Sequence, residues 1–230
     1  EKSGSAQYLN VLGEFFTKVP VNKKDLVSNK PLESILDEVK KDYDLLIVGA
    51  TERNKNSDML FNPIVDNLVR LSPCASIVVQ NSDVSEDWRP SRILVPTNGS
   101  KASKRAAEVA FGIAYHQHDQ VHILNVVEGK QGYSSYDIEG SLKERRLTFA
   151  HQTVEELKKL GESLDVNTFT EIEIGEEPDT VILKIASDND FDLIILGTDV
   201  RPGSDKLYLG PRVERILNNA SCPVIIVNSQ

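Results

Sequence analysis

Short apolar runs recur along the chain: Leu45-Leu-Ile-Val48, Ile77-Val-Val79, Ile93-Leu-Val95, Leu193-Ile-Ile-Leu196 and Val224-Ile-Ile-Val227, with Val121 to Val127 interrupted by His122 and Asn125. Each is too short for a core helix and rich in β-branched residues, which predicts strands buried on both faces. Residues 169–174 instead alternate apolar and polar, as a strand at a sheet edge or half-exposed does. Helical patterns fill the gaps. Residues 102–115 follow Ser100, which is placed to cap them, and residues 142–160 run amphipathically to Gly161, read as a stop. Residues 180–186 predict a short helix. Residues 211–217 open with proline, the residue preferred at a first helical position. Earlier in the chain, residues 6–18 predict a long helix, 25–27 a half-exposed strand and 32–39 a short helix. Residues 45–48, 63–71 and 76–79 then predict strand, helix and strand.

The pattern repeats. Asp44-Leu-Leu-Ile-Val-Gly49 returns as Asp192-Leu-Ile-Ile-Leu-Gly197, 148 positions on, and the match continues without a gap. Arg53 answers Arg201, Pro63 answers Pro211, Asp66 answers Glu214, and Cys74 answers Cys222. Upstream, Pro31-Leu-Glu-Ser-Ile-Leu36 aligns with Pro178-Asp-Thr-Val-Ile-Leu183 at an offset of 147. Strands alternating with helices imply a parallel sheet covered on both faces, with the ligand crevice at the carboxyl ends of the strands. The expected fold is therefore α/β, two doubly wound parallel-sheet sandwiches. Residues 1–85 form a first copy lacking its opening strand–helix–strand, and residues 91–230 a complete second one. The polar stretch from Asn81 to Pro90 links them.

Composition narrows the function. The chain has 26 Lys+Arg against 35 Asp+Glu, a net charge of −9, which excludes the basic footprint of a general nucleic-acid binder. No apolar run reaches the ~18–20 residues of a membrane span, and no signal peptide opens the chain. Two cysteines make no disulfide framework and point to a reducing compartment. The chain begins with Glu1 and its one methionine is Met59, so it is expected to be part of something longer.

Several phrases together resemble one family. They are Ile93-Leu-Val-Pro-Thr-Asn-Gly-Ser100, Leu124-Asn-Val-Val127, Gly175-Glu-Glu-Pro178, Asp192 to Gly197, Gly210 with the helix after it, and Ser221-Cys-Pro-Val-Ile-Ile-Val227. In this order and spacing the chain resembles tandem universal stress proteins (UspA-like). The resemblance implies cytoplasmic, often homodimeric proteins, of which one branch binds ATP, and tandem copies that pair through their last strands. The tail from Arg201-Pro-Gly-Ser204 to Tyr208-Leu-Gly-Pro-Arg-Val-Glu-Arg215 resembles stress-protein domains fused behind cation/proton antiporters. An upstream membrane transporter is the partner that this implies.

ATP-binding members of the family carry Gly-x2-Gly-x9-Gly-Ser/Thr after the fourth strand, where glycines and a helix N-terminus cradle phosphates. Here those positions hold Gly197, Val200, Gly210 and Pro211, so bulk replaces one glycine and proline removes both an N–H and a hydroxyl. In the first copy they hold Gly49, Glu52, Asn62 and Pro63. The base and ribose side is better kept, with Pro96, Thr97 and Asn98 in the first-strand turn and Val126 at a base-contacting position. Asn98 stands where the family usually has Asp. ATP or AMP is the cofactor this implies. Arg201, like Arg53, is open to two readings: a phosphate partner replacing the lost loop, or a loop charge or interdomain ion pair.

Other groups carry less. His116, His118 and His122 lie at a helix exit and a strand start, without the convergent spacing of metal ligands, and read as charges near a helix C-terminus. Cys74 and Cys222, at equivalent positions, read as small buried groups. Lys143-Glu-Arg-Arg146 reads as an exposed helix face. No nucleophile–histidine arrangement appears, so the first reading is a non-catalytic sensor. A nucleotide-binding protein with slow ATP hydrolysis and a stand-alone soluble tandem stress protein are the alternatives.

Overall fold

The computed structural model describes residues 20–50, 61–80, 88–115, 119–129, 138–199 and 207–228. Among them run α1 (Pro31–Val39), β1 (Leu45–Ala50), α2 (Pro63–Leu71), β2 (Ala75–Gln80), β3 (Arg92–Pro96), α3 (Lys101–Tyr115) and β4 (Gln120–Glu128). They are followed by α4 (Ile138–Ser163), β5 (Asn167–Gly175), α5 (Pro178–Asp188), β6 (Leu193–Thr198), α6 (Pro211–Asn219) and β7 (Val224–Asn228). Five of the apolar runs become the central strands because their side chains are covered from both sides; Leu45-Leu-Ile-Val48, expected to be equally buried, becomes β1 at one end of the sheet, with Leu45 and Ile47 exposed. The alternating run becomes β5, at one edge. The predicted helix at 6–18 lies outside the described residues.

The two copies share one seven-stranded sheet, in the order β1-β2-β7-β6-β3-β4-β5. Every neighbouring pair is parallel except β2 and β7. Within the second copy the chain winds outward from β3 one way to β4 and β5 and the other way to β6 and β7. That is the doubly wound arrangement, with its direction reversing between β3 and β6. The antiparallel seam is self-matching. Val78 lies opposite Ile226, its own repeat mate, while Ser76 faces Asn228 and Gln80 faces Val224. A local twofold axis therefore passes through the Val78–Ile226 pair. The Gln80 side-chain amide crosses the seam to donate to the Leu217 carbonyl at 3.2 Å.

Two cores cover the sheet. One face gathers Val65, Val69 and Val78 of the first copy with Leu94, Leu196, Ile216 and Ile226 of the second. The other packs α3 and α4 over Ile93, Val95, Ile123, Ile195 and Ile225. The alanine face of α3 (Ala102, Ala106, Ala107, Ala110, Ala114) lets the helix lie close to the strands. Closest of all is Gly197, where an added Cβ would stand 2.0 Å from the Ala102 carbonyl oxygen. Asp192 fastens the start of β3. Its carboxylate accepts from the Ser91 amide at 2.9 Å, the Ser91 hydroxyl at 2.7 Å and the Arg92 amide at 3.1 Å.

Three further expectations change. Residues 25–27 form no strand. In the second copy the corresponding β5 is held by β4, and the described first copy has no such neighbour to close a ladder. The segment is instead tied to α1 by Lys24, which with Lys41 and Tyr43 holds the Glu38 carboxyl down at about 2. Gly161 does not end α4, which runs on to Ser163. It is glycine because a Cβ there would meet the Thr168 hydroxyl at 2.1 Å and the Phe111 ring at 2.8 Å. His122 is no helix-end charge. It sits on β4, stacked on Phe169 with centroids 4.7 Å apart and edge-on to Phe191 at 4.8 Å. Burial and then the neighbouring Arg92 charge lower its pKa. His116 and His118 lie outside the described residues, which hold no cluster able to bind a metal.

The cysteines are free, and burial pushes the Cys222 thiol up to about 11. They flank opposite ends of the antiparallel seam, ~25 Å apart at the rise of a strand, too far for a disulfide. Among the described residues no helix is long and apolar enough to cross a membrane.

Two outcomes are expected. Gly197→Ala drives a methyl group into α3 backbone and lowers unfolding stability by about 3 kcal/mol or more, read from urea denaturation. His122, whose folded pKa lies below its ordinary value near 6.5, contributes full stability above that value. As pH falls the unfolded chain takes up the proton first, so stability drops through the folded pKa. Urea midpoints between about pH 7 and pH 5 should decline in the parent and flatten in His122→Phe.

Candidate functional site

The site is built where the strand order reverses. β3 ends at Pro96, and the turn after it is locked by its own polar groups. The Thr97 amide donates to the Leu124 carbonyl at 2.8 Å, and the Thr97 and Ser103 hydroxyls lie 3.0 Å apart. The Gly99 amide donates to Thr97 Oγ1 at 3.2 Å and the Ser100 amide to Asn98 Oδ1 at 3.0 Å. Ser100 then caps α3 as its sequence position predicts, accepting from the Ser103 amide at 3.2 Å. Pro96 and Thr97 are buried in this support, whereas Asn98 stands exposed above it.

Asn98 opens onto a cleft of about 380 Å³. Its floor is the end of β4, with Asn125, Val126, Val127 and Glu128. One wall is α4, with Leu142, Arg145, Arg146 and Phe149, and Arg212 of α6 closes the other side. Leu142 and Phe149 are exposed large apolar side chains. Three guanidinium groups and one carboxylate thus line the cleft. Arg212 pairs with Glu128 at 2.8 Å, and Arg146 donates to the Glu128 backbone carbonyl at 2.9 Å. Arg145 has no hydrogen bond or ion pair among the described residues.

The residues expected at the site divide accordingly. Asn98 and Val126 line the cleft. Pro96 and Thr97 support it from below. Gly197 meets α3 rather than the cleft, and its lack of a side chain is already required by Ala102. Gly210 is the N-cap of α6 at φ 96°, a conformation that favours glycine, so its identity follows from the entry into that helix. Arg201 and Val200 lie outside the described residues, as do Arg53 and Glu52. The arginines of the cleft were not singled out by sequence. Arg145 and Arg146 belong to a charged helical run, and Arg212 follows a proline, so nothing local marks them as neighbours.

The helix starts of the two copies differ. In α2 the Asn62 side chain accepts from the Ile64 and Val65 amides, both at 3.0 Å, and so occupies the N-terminus itself. In α6, Gly210 offers no side chain to do this. Among the described residues no side chain caps that helix start, and it opens beside an arginine-lined cleft, an arrangement that attracts anions.

The chain was compared with known proteins. The family model described as the universal stress protein family matches residues 5–80 and 90–228. A universal stress protein of Methanocaldococcus jannaschii is 30% identical over 141 residues, spanning 59% of this chain and 81% of its own. Among solved structures, a universal stress protein from Archaeoglobus fulgidus matches with a TM-score of 0.67 at 17% identity, covering 98% of this chain and 76% of that one. UspA from Lactobacillus plantarum matches with a TM-score of 0.52 at 22% identity, covering 63% of this chain and all of that one, 100%. With two matching segments over most of its length and the doubly wound sheet to go with them, the chain belongs to the universal stress protein family.

Proposed function

We propose that the chain is a non-catalytic regulatory module that takes up an anionic, ring-bearing small molecule of the adenine-nucleotide class. The ligand sits in the cleft between β4, α4 and α6. The observation that carries this reading is the convergence of Arg145, Arg146 and Arg212 on one cleft that also exposes Asn98, Leu142 and Phe149. Guanidinium groups supply the charge-assisted hydrogen bonds that a glycine loop would otherwise draw from backbone amides. The apolar side of the cleft, Val126 with Leu142 and Phe149, suits the flat face of a base. The one carboxylate in the lining, Glu128, is held by Arg212, which favours binding over turnover.

The place of the module is proposed from its tail phrase. The stretch from Tyr208 to Arg215 resembles stress-protein domains behind cation/proton antiporters, so the ligand would report on the cytosol to such a transporter. Pairing of the two copies across β2 and β7 supports a module that acts as one rigid body.

Calorimetric titration with ATP and AMP tests the ligand. The reading expects both to bind, ATP the tighter. Arg145→Ala should weaken ATP about tenfold, since a hydrogen bond to a charged group contributes about 1.5–3 kcal/mol. Glu128→Gln should tighten ATP binding severalfold by releasing Arg212. An absence of heat with either nucleotide, or an affinity indifferent to both substitutions, would overturn it.

A further inference from the structure

Asn98 is the one asparagine of the chain that a glycine follows. It is exposed, its Oδ1 accepts from the Ser100 amide at 3.0 Å, and among the described residues nothing holds its Nδ2. The hydrogen bond from Ser100 polarises the side-chain carbonyl and stabilises negative charge that develops on its oxygen. Gly99 lies at φ 76°, and an added Cβ would stand 2.7 Å from the Phe149 ring, so the fold keeps this residue bare and its nitrogen unshielded. The Gly99 N–H points to Thr97 Oγ1 at 3.2 Å, so a side-chain hydroxyl holds the amide proton and no backbone ladder locks it. Other asparagines lack one part or another. Asn62 has the same polarised carbonyl, held by the Ile64 and Val65 amides, but Pro63 follows it and has no N–H to lose. Asn67, Asn189 and Asn219 each commit Nδ2 to a helix carbonyl and precede residues that carry a Cβ.

We propose that Asn98 is a self-modifying position, which converts to aspartate or isoaspartate and so resets the charge of the cleft. The Gly99 nitrogen gives its proton to hydroxide from solvent and bonds to Asn98 Cγ. The Cγ–Nδ2 bond breaks, and ammonia leaves with a proton. The product is a five-membered succinimide, and water then adds to one of its two carbonyls. Opening at the side-chain carbonyl restores the ordinary backbone with aspartate at position 98. Opening at the backbone carbonyl routes the chain through the side chain, as isoaspartate. Each conversion consumes one water and releases one ammonia, with no oxidant or reductant. Aspartate keeps an oxygen for the Ser100 amide, so the turn survives, but three guanidinium groups in the cleft then face two carboxylates where there was one. Isoaspartate adds a methylene between Thr97, fastened to Leu124, and the Ser100 cap of α3, and so shifts the turn itself. The effect on a ligand rests on the nucleotide reading above, whereas the conversion does not.

The experiment holds the folded parent chain in mildly alkaline buffer and follows each asparagine by peptide mass spectrometry, beside a synthetic peptide of residues 93–104. The proposal expects a gain of about 1 Da at Asn98 before any other asparagine, at no less than about one tenth of the peptide's rate. Isoaspartate should appear among the products, and Asn98→Gln should show no gain in this segment. A rate further below the peptide's, or an earlier gain at another asparagine, overturns the conversion. Calorimetry on Asn98→Asp reads its consequence. The preference for ATP over AMP should fall about fivefold, because ATP brings more negative charge toward the added carboxylate. An unchanged preference overturns the resetting of the cleft. If neither nucleotide binds parent or variant, the nucleotide reading falls and the effect on its ligand falls with it, while the mass spectra still decide the conversion.

Discussion

The antiparallel seam between β2 and β7 sets the geometry of everything else. Because Val78 meets its own repeat mate Ile226, each contact on one side of the axis has a counterpart on the other. The seam joins two sheets into one, so a core residue of the first copy such as Val69 shares a continuous apolar layer with Leu196 and Ile216. Ala50, Phe61, Val65 and Val78 of the first copy belong to the same layer. Without β7 beside it, β2 would be a second open edge, and α1, β1 and α2 would be too small to hold a core alone.

The same duplication let the two helix starts diverge. A helix N-terminus with free N–H groups is useful where an anion arrives and costly where none does. The first copy satisfies its own with Asn62, and the second leaves Gly210, with Arg212 and the arginines of α4 around it. Arginine achieves by charge and reach what a glycine loop achieves by close backbone approach. A Val200 or Pro211 that would spoil a backbone cradle is compatible with recognition through side chains. In the proposed reading the family's phosphate end has changed chemistry while the base end, with Asn98 and Val126, keeps its place.

The elements were legible in the sequence because most strands are short apolar runs and the helices carry clear start signals, as at Ser100, Pro63 and Pro211. The repeat added the one long-range fact, which residues correspond. What was not legible depended on neighbours. Residues 25–27 have the composition of a strand but, among the described residues, no strand to pair with. Gly161 looks like a helix stop, yet the close approach of Thr168 and Phe111 requires it. His122 lies against Phe169 and Phe191, which are far along the chain, and its pKa is lowered by burial and then by the Arg92 charge. The cleft was hidden for the same reason, since Glu128, Arg145 and Arg212 meet only through the crossing of β4, α4 and α6.

The asymmetry of the copies also bears on how a ligand signal would travel. The cleft lies at the end of β4, near the complete edge of the sheet, while the open edge at β1 lies at the far end of the strand order. Between them run β3, β6, β7 and β2, all buried and closely packed, and a layer of that kind transmits a displacement rather than absorbing it. Among the described residues β1 pairs with β2 alone and leaves Leu45 and Ile47 exposed, so it belongs to the least stable part of the described sheet. Any coupling between the cleft and that end of the sheet would be reciprocal by linkage, and its size would be set by how differently the ligand binds when β1 is ordered and when it is not.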